Sequence, residues 1–187
     1  VNYFQNPTGL SLSLTRRKEL MQIVEEYASR QRILVLEDAA YRELRYEGDE
    51  LPSLRSMDTH AQHVIYAGTF SKPLSPGLKT GYALVPEDLL THLLRLKGNH
   101  DFGSNHFSQN LLARLVGSGA YSNHVEKLKG VYREKRDALL QSLEQHFGDI
   151  PGVSWTTPKG GMFIWLTLPV DVPTSPDSPF LKAALKE

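Results

Sequence analysis

Residues 32 to 41 read RILVLEDAAY. Four apolar side chains, Ile33 to Leu36, stand in an unbroken row and the polar ones collect at the end, the pattern of a strand covered on both faces in a parallel sheet. Residues 63 to 72, HVIYAGTFSK, repeat the design with Val64 to Ala67. Residues 81 to 86, GYALVP, read as a third strand stopped by Pro86. Upstream, Leu20, Ile23, Val24 and Tyr27 recur at helical spacing, which predicts an amphipathic helix between a short opening strand and the strand at 33. This is the start of a βαβ arrangement, and it predicts an α/β fold with a mainly parallel sheet.

Helical spacing also fits 87 to 97 (Leu89, Leu90, Leu93, Leu94), 105 to 116 (Phe107, Leu111, Leu112, Leu115) and 122 to 147 (Val125, Leu128, Tyr132, Leu139, Leu143). The long last helix leaves the first domain, which divides the chain into 1–120 and 121–187. Beyond it, GVSWTTPKGGMFIWLTLP (152 to 169) reads as two short strands around a proline and glycine turn. Its second strand alternates Met162, Ile164, Leu166 and Leu168 against Phe163, Trp165 and Thr167, so a smaller α+β layer begins here. Four prolines between 169 and 179 mark a surface connection, after which Ser178 and Pro179 cap and open a helix. A lone hairpin is marginal in water, so the sequence is expected to be a piece of a longer chain.

The 187 residues are 40% hydrophobic, enough to bury a core. Twenty-one basic and 21 acidic side chains cancel without forming a block of one sign, which argues against a nucleic-acid surface. No apolar stretch approaches the ~20 residues of a membrane span. There are no cysteines, which fits a reducing compartment, and a cytoplasmic location is expected. The seven histidines show no two-ligand helical spacing with a carboxylate partner, so no metal is assigned.

In open parallel sheets, ligands sit beyond the carboxyl ends of the strands. The first end offers Asn6, in QNPTG; the second offers Asp38 and Tyr41; the third offers Thr69, Ser71 and Lys72, with Lys79 following on the turn SPGLK. An amide, a carboxylate, a phenol, two hydroxyls and two amines are thus expected to face one crevice. The set suits an aromatic aldehyde that carries a phosphate. A lysine amine condenses with a carbonyl, a carboxylate keeps a pyridine nitrogen protonated, and hydroxyls with a cation hold phosphate. Each residue also has a plainer reading. Asp38 can cap a turn, Asn6 before Pro7 can be a turn residue, and Thr69 and Ser71 can close a loop onto backbone groups.

Four motifs in register, NPTG (6 to 9), EDAAY (37 to 41), GTFSKPLSPGLKTGY (68 to 82) and KGGMFIWL (159 to 166), resemble the pyridoxal-phosphate-dependent aminotransferases of fold type I, class I/II. Within that group the chain looks most like the branch of 2-aminoadipate and kynurenine aminotransferases and the aminotransferase-like domains of MocR-type regulators. The resemblance implies part of the large domain of aspartate aminotransferase type, over 1–120, followed by a long linking helix and an incomplete small C-terminal domain, over 121–187.

It further implies a pyridoxal 5′-phosphate cofactor, with Lys72 forming the Schiff base and moving the proton, Asp38 on the pyridine nitrogen, and Asn6 and Tyr41 on the ring hydroxyl. Thr69 and Ser71 would contact the phosphate. Lys79 stands where the family usually carries arginine, replacing a two-pronged clamp by a point charge. Ser104 and Asn105 lie where relatives approach the cofactor of a neighbouring subunit, so a homodimer is expected. The substrates implied are an amino acid and a 2-oxo acid, and the piece by itself is expected to be inactive. Two alternatives stay open: the effector domain of a MocR-type regulator, and another reaction on the same cofactor, such as decarboxylation, elimination or acyl transfer.

Overall fold

The structure, a computed structural model, describes residues 1–186. A three-stranded sheet organises the first part. Strand β1 (Val35–Asp38) pairs in parallel with β2 (Val64–Thr69), with Val35 opposite Val64 and Asp38 opposite Ala67. Strand β3 (Gly81–Leu84) then pairs with the other edge of β2 in the antiparallel sense, with Tyr66 opposite Leu84. The mainly parallel sheet expected from the apolar runs is therefore mixed among the described residues. The segment between β2 and β3 turns back too soon for the long crossover that a parallel neighbour requires.

The predicted opening strand is absent. Residues 1–5 take no strand conformation: Phe4 has φ 44°, which breaks an extended run, and Asn6 to Thr8 form a turn. The amphipathic helix α1 (Leu14–Ala28) follows, capped by Ser13, whose hydroxyl accepts from the Arg16 amide. It turns Met21 and Val24 inward. Met21, Leu54 and Val64 form one small core, closed by the short helix α2 (Leu54–Met57). The expectation of strands covered on both faces fails for this chain. Alternation puts Val35, Glu37, Val64 and Tyr66 on the covered face, while Leu36 on the other is 66% exposed.

Glu37 is the unexpected resident of the covered face. Its side chain is fully buried; Oε1 accepts from the Asn2 amide group (2.6 Å) and the Leu54 backbone N–H (2.9 Å), and Oε2 accepts from the Arg55 N–H (2.9 Å). Arg17, fully buried as well, lies 3.8 Å from Glu37 and donates to the carbonyls of Asn2, Leu12 and Pro52. Its guanidinium stacks 4.2 Å from the Tyr3 ring centroid. One ion pair thus fastens the N-terminal loop, α1, β1 and the start of α2 together.

Helices α3 (Glu87–Asp101), α4 (His106–Gly117) and α5 (Ala120–Phe147) lead to the two-residue strands β4 (Ser154–Trp155) and β5 (Leu166–Thr167), which pair antiparallel. The alternating strand expected over 162 to 168 is thus confined to its end. Helix α6 (Pro179–Ala184) starts as the sequence predicts, with Ser178 accepting from the Leu181 amide and Pro179 in the first turn. Among the described residues, no helix is long and apolar enough to cross a membrane.

The segment 158–161 is fixed to the loop after β1. The Gly161 N–H donates to the Leu44 carbonyl (2.9 Å), the N–H groups of Tyr46 and Glu47 donate to the Lys159 carbonyl (both 3.1 Å), and Arg45 bridges Gly160. The closeness requires glycine: a Cβ on Gly160 would stand 2.4 Å from the Phe4 ring, and one on Gly161 2.4 Å from the Phe4 Cβ. Arg136 of α5 locks the junction, donating to the Pro158 carbonyl (2.7 Å) and to both Glu47 oxygens.

Arg136, with Arg133 assisting, pulls the Glu47 carboxyl down to about 2 from an ordinary 4.5. A folded value below the unfolded one stabilises the protein above about pH 4.5. That stabilisation disappears as pH falls toward 2. Glu47→Gln is therefore expected to lower the urea midpoint at pH 6 but to match the unaltered protein near pH 2. A difference between the two that persists at pH 2 would contradict the assignment.

Candidate active site

The parallel register sets the site. Asp38 is the last residue of β1 and stands beside Ala67; two residues further along β2, Thr69 projects from the same face. Asp38 Oδ1 accepts from the Ala40 N–H (3.0 Å), closing the turn that reverses the chain toward Tyr41. Tyr41 is buried, with its ring in the core formed by Tyr3, Phe4, Ala39, Leu44 and Tyr66.

Beyond β2 the chain enters the turn that carries Lys72. The Thr69 hydroxyl accepts from the Ser71 N–H (3.1 Å) and lies 3.5 Å from the Thr80 carbonyl, so the loop-closing reading of this residue holds. Ser71 is half-buried and Lys72 exposed. The Lys72 Nζ stands over the Tyr41 ring, 5.8 Å from its centroid, which joins the ends of β1 and β2 in one place. Lys79 ends the 3-10 turn Pro76–Leu78 in the left-handed conformation (φ 49°), with its side chain exposed. Asn6 lies in the exposed turn before Gly9. Asn105 caps α4, its side-chain oxygen accepting from the Ser108 N–H (3.0 Å), and Ser104 before it is exposed.

Among the described residues, the Lys72 and Lys79 amines and the second Asp38 oxygen have no hydrogen-bond or ion-pair partner. Arg42, next to Tyr41 in the chain, is by contrast paired with Glu50. An amine over a buried aromatic ring, with a carboxylate at the end of the neighbouring strand, fits a carbonyl-bearing heterocycle; Lys79 and Asn6 share no hydrogen bond or ion pair with this group among the described residues.

A cavity of about 850 Å³ lies elsewhere, lined by Arg42, Arg45, Glu47, Tyr66, Tyr82 and Arg133 among others. Tyr66, Tyr82 and Leu84 place it on the face of the sheet opposite Asp38, and none of the predicted site residues lines it. Burial and the neighbouring Tyr66 push the Tyr82 phenol up to about 12, so it stays neutral in this wall at physiological pH. Two features near the site were missed in the sequence: the Glu37–Arg17 pair beneath β1, and Phe163, whose ring meets Tyr41 edge-on with centroids 5.5 Å apart. Strand alternation placed Glu37 with Val35, and that was the available signal for its burial.

The family model for aminotransferase class I and II matches residues 1–185. The chain belongs to the class I and II aminotransferases. It is 37% identical over 171 residues to aromatic-amino-acid aminotransferase 1 of Thermococcus litoralis, a match covering 91% of this chain and 39% of that protein. An HTH-type transcriptional regulator of Bacillus subtilis, YdfD, is 36% identical over 167 residues, covering 88% of this chain and 33% of the regulator. Among solved structures, the kynurenine aminotransferase of Pyrococcus horikoshii superimposes with a TM-score of 0.90 at 36% identity, over 100% of this chain and 44% of that one. The α/β fold of this chain is therefore that of its family. The chain spans about two-fifths of the length of the enzymes it matches, and one third of the regulator.

Proposed function

We propose that the intact protein is a pyridoxal-phosphate-dependent aminotransferase that moves an amino group between an amino acid and a 2-oxo acid. The observation that carries this reading is the Lys72 amine, unpaired among the described residues and standing over Tyr41 at the end of the strand beside Asp38. When bound, pyridoxal phosphate supplies an aldehyde for an amine and a ring that withdraws electrons from the substrate α carbon. Lys72 Nζ binds that aldehyde and moves the proton at the α carbon. The free Asp38 oxygen holds the proton on the ring nitrogen. Tyr41 and Asn6 orient the ring hydroxyl; Thr69, Ser71 and Lys79 hold the phosphate. The PMP bound in the Pyrococcus horikoshii structure supports this choice of cofactor.

We read 1–120 as part of the large domain, and 121–187 as the linking helix and part of the small one. We place the intact protein in the cytoplasm as a homodimer without nucleic-acid contact from this segment, as its cancelling charges suggest. The test follows turnover of amino-acid donors with a 2-oxo acid. Asp38→Ala is expected to retain some cofactor while turnover falls on the order of 10³-fold, the loss of a preorganised charge; full activity in that variant rejects its role.

The match to YdfD favours a second reading, the effector domain of an HTH-type regulator. Pyridoxal phosphate that binds at Lys72 without turnover of any amino acid, together with specific DNA binding by the intact protein, would select it.

A further inference from the structure

We propose that Phe163 is a positioning residue: its ring edge holds Tyr41 where the Tyr41 face underlies the Lys72 amine. The proposal rests on the reading of Lys72 as the reactive amine. The two aromatic rings meet at 84° with centroids 5.5 Å apart, an edge-to-face contact that fixes both the position and the tilt of the receiving ring. Tyr41 in turn lies 5.8 Å below Lys72 Nζ. Its ring plane therefore helps decide where the amine rests, because the attraction acts at the face of the ring.

Phe163 is well anchored for this work. It follows Gly160 and Gly161, which are wedged against Phe4 and joined to the Leu44 carbonyl and the Arg45 backbone. Arg136 holds the preceding Pro158 carbonyl and Glu47 together. Along the chain, the Tyr41 backbone is held by the single 3-10 turn Arg42–Leu44, in which the Leu44 N–H donates to the Tyr41 carbonyl (3.0 Å), and this bond does not set the tilt of the ring. The support from Phe163 comes from a segment more than a hundred residues away in the chain. A side chain of the second part thereby sets an aromatic ring in the first.

The test compares two quantities in the intact protein: the dissociation constant for pyridoxal phosphate, and the rate at which bound pyridoxal phosphate becomes borohydride-fixed to Lys72, followed by peptide mapping. For Phe163→Leu, which keeps an apolar side chain without a ring edge, the fixation rate at saturating pyridoxal phosphate is expected to fall about three- to tenfold, the worth of one edge contact. The dissociation constant should change less than about threefold, and Phe163→Tyr, which retains the ring, should restore the rate. Phe163→Ala should behave like the leucine variant, and if it does not fold, the leucine and tyrosine variants decide the matter. An unchanged rate in Phe163→Leu, equal slowing in Phe163→Tyr, or parallel loss of affinity and rate would each overturn the proposal. If no fixation at Lys72 occurs in the unaltered protein, the reading of Lys72 is itself wrong, which separates the two failures.

Discussion

Lys72→Ala is expected to reduce transamination by the intact protein on the order of 10⁴-fold or more, because one amine both binds the carbonyl and moves the proton at the substrate carbon. Neither task passes to a neighbour. Lys79 lies beyond the 3-10 turn Pro76–Leu78 with a left-handed backbone, and no hydroxyl in the turn replaces a basic nitrogen. The expected pattern is loss of turnover with little loss of fold, since the Lys72 side chain is exposed and makes no ion pair among the described residues. Steady-state turnover and a thermal melt measured on the same preparation check both halves. A variant that keeps a tenth of the original activity would remove Lys72 from the reaction.

Glu37→Ala should have the opposite character, a large loss of stability arising away from the reacting groups. The substitution removes the acceptor of three hydrogen bonds and leaves Arg17 buried beside an uncharged methyl group. Breaking one side of a buried pair costs about 3–5 kcal/mol, well above the ~1 kcal/mol of an average substitution. Because Glu37 precedes Asp38 on β1, loosening the strand also displaces the carboxylate expected to serve the cofactor. Urea unfolding of the intact protein should show the midpoint fall; Glu37→Gln, which retains one acceptor oxygen, should lose less. Equal stability of Glu37→Ala and the unaltered protein would mean that the pair contributes nothing net.

Much of this architecture was legible in the residues, for physical reasons that differ from element to element. The apolar runs at 33–36 and 64–67 marked two strands because nothing polar interrupts them, and the polar residues after each run marked the chemical end. The periodic leucines of α3 and α4 marked helices even though Leu90, Leu93 and Leu94 of α3 are exposed. The direction of β3 was not legible, since alternation is the same in both senses and only the length of the connection distinguishes them. The opening strand failed on Phe4, which takes a positive φ and packs against Gly160 and Gly161, far along the chain. The same distance hid Phe163 from view. Thr69 showed the opposite lesson: its hydroxyl is engaged by the Ser71 amide, as a loop residue would be, and its proposed phosphate contact must come from the remaining capacity of that oxygen.

The most direct measurement is to incubate the intact protein with pyridoxal phosphate, fix the adduct with borohydride, digest, and identify the modified lysine by mass spectrometry. A single stoichiometric phosphopyridoxyl group on Lys72 is expected. Modification of another lysine in its place, with Lys72 recovered free, would contradict it.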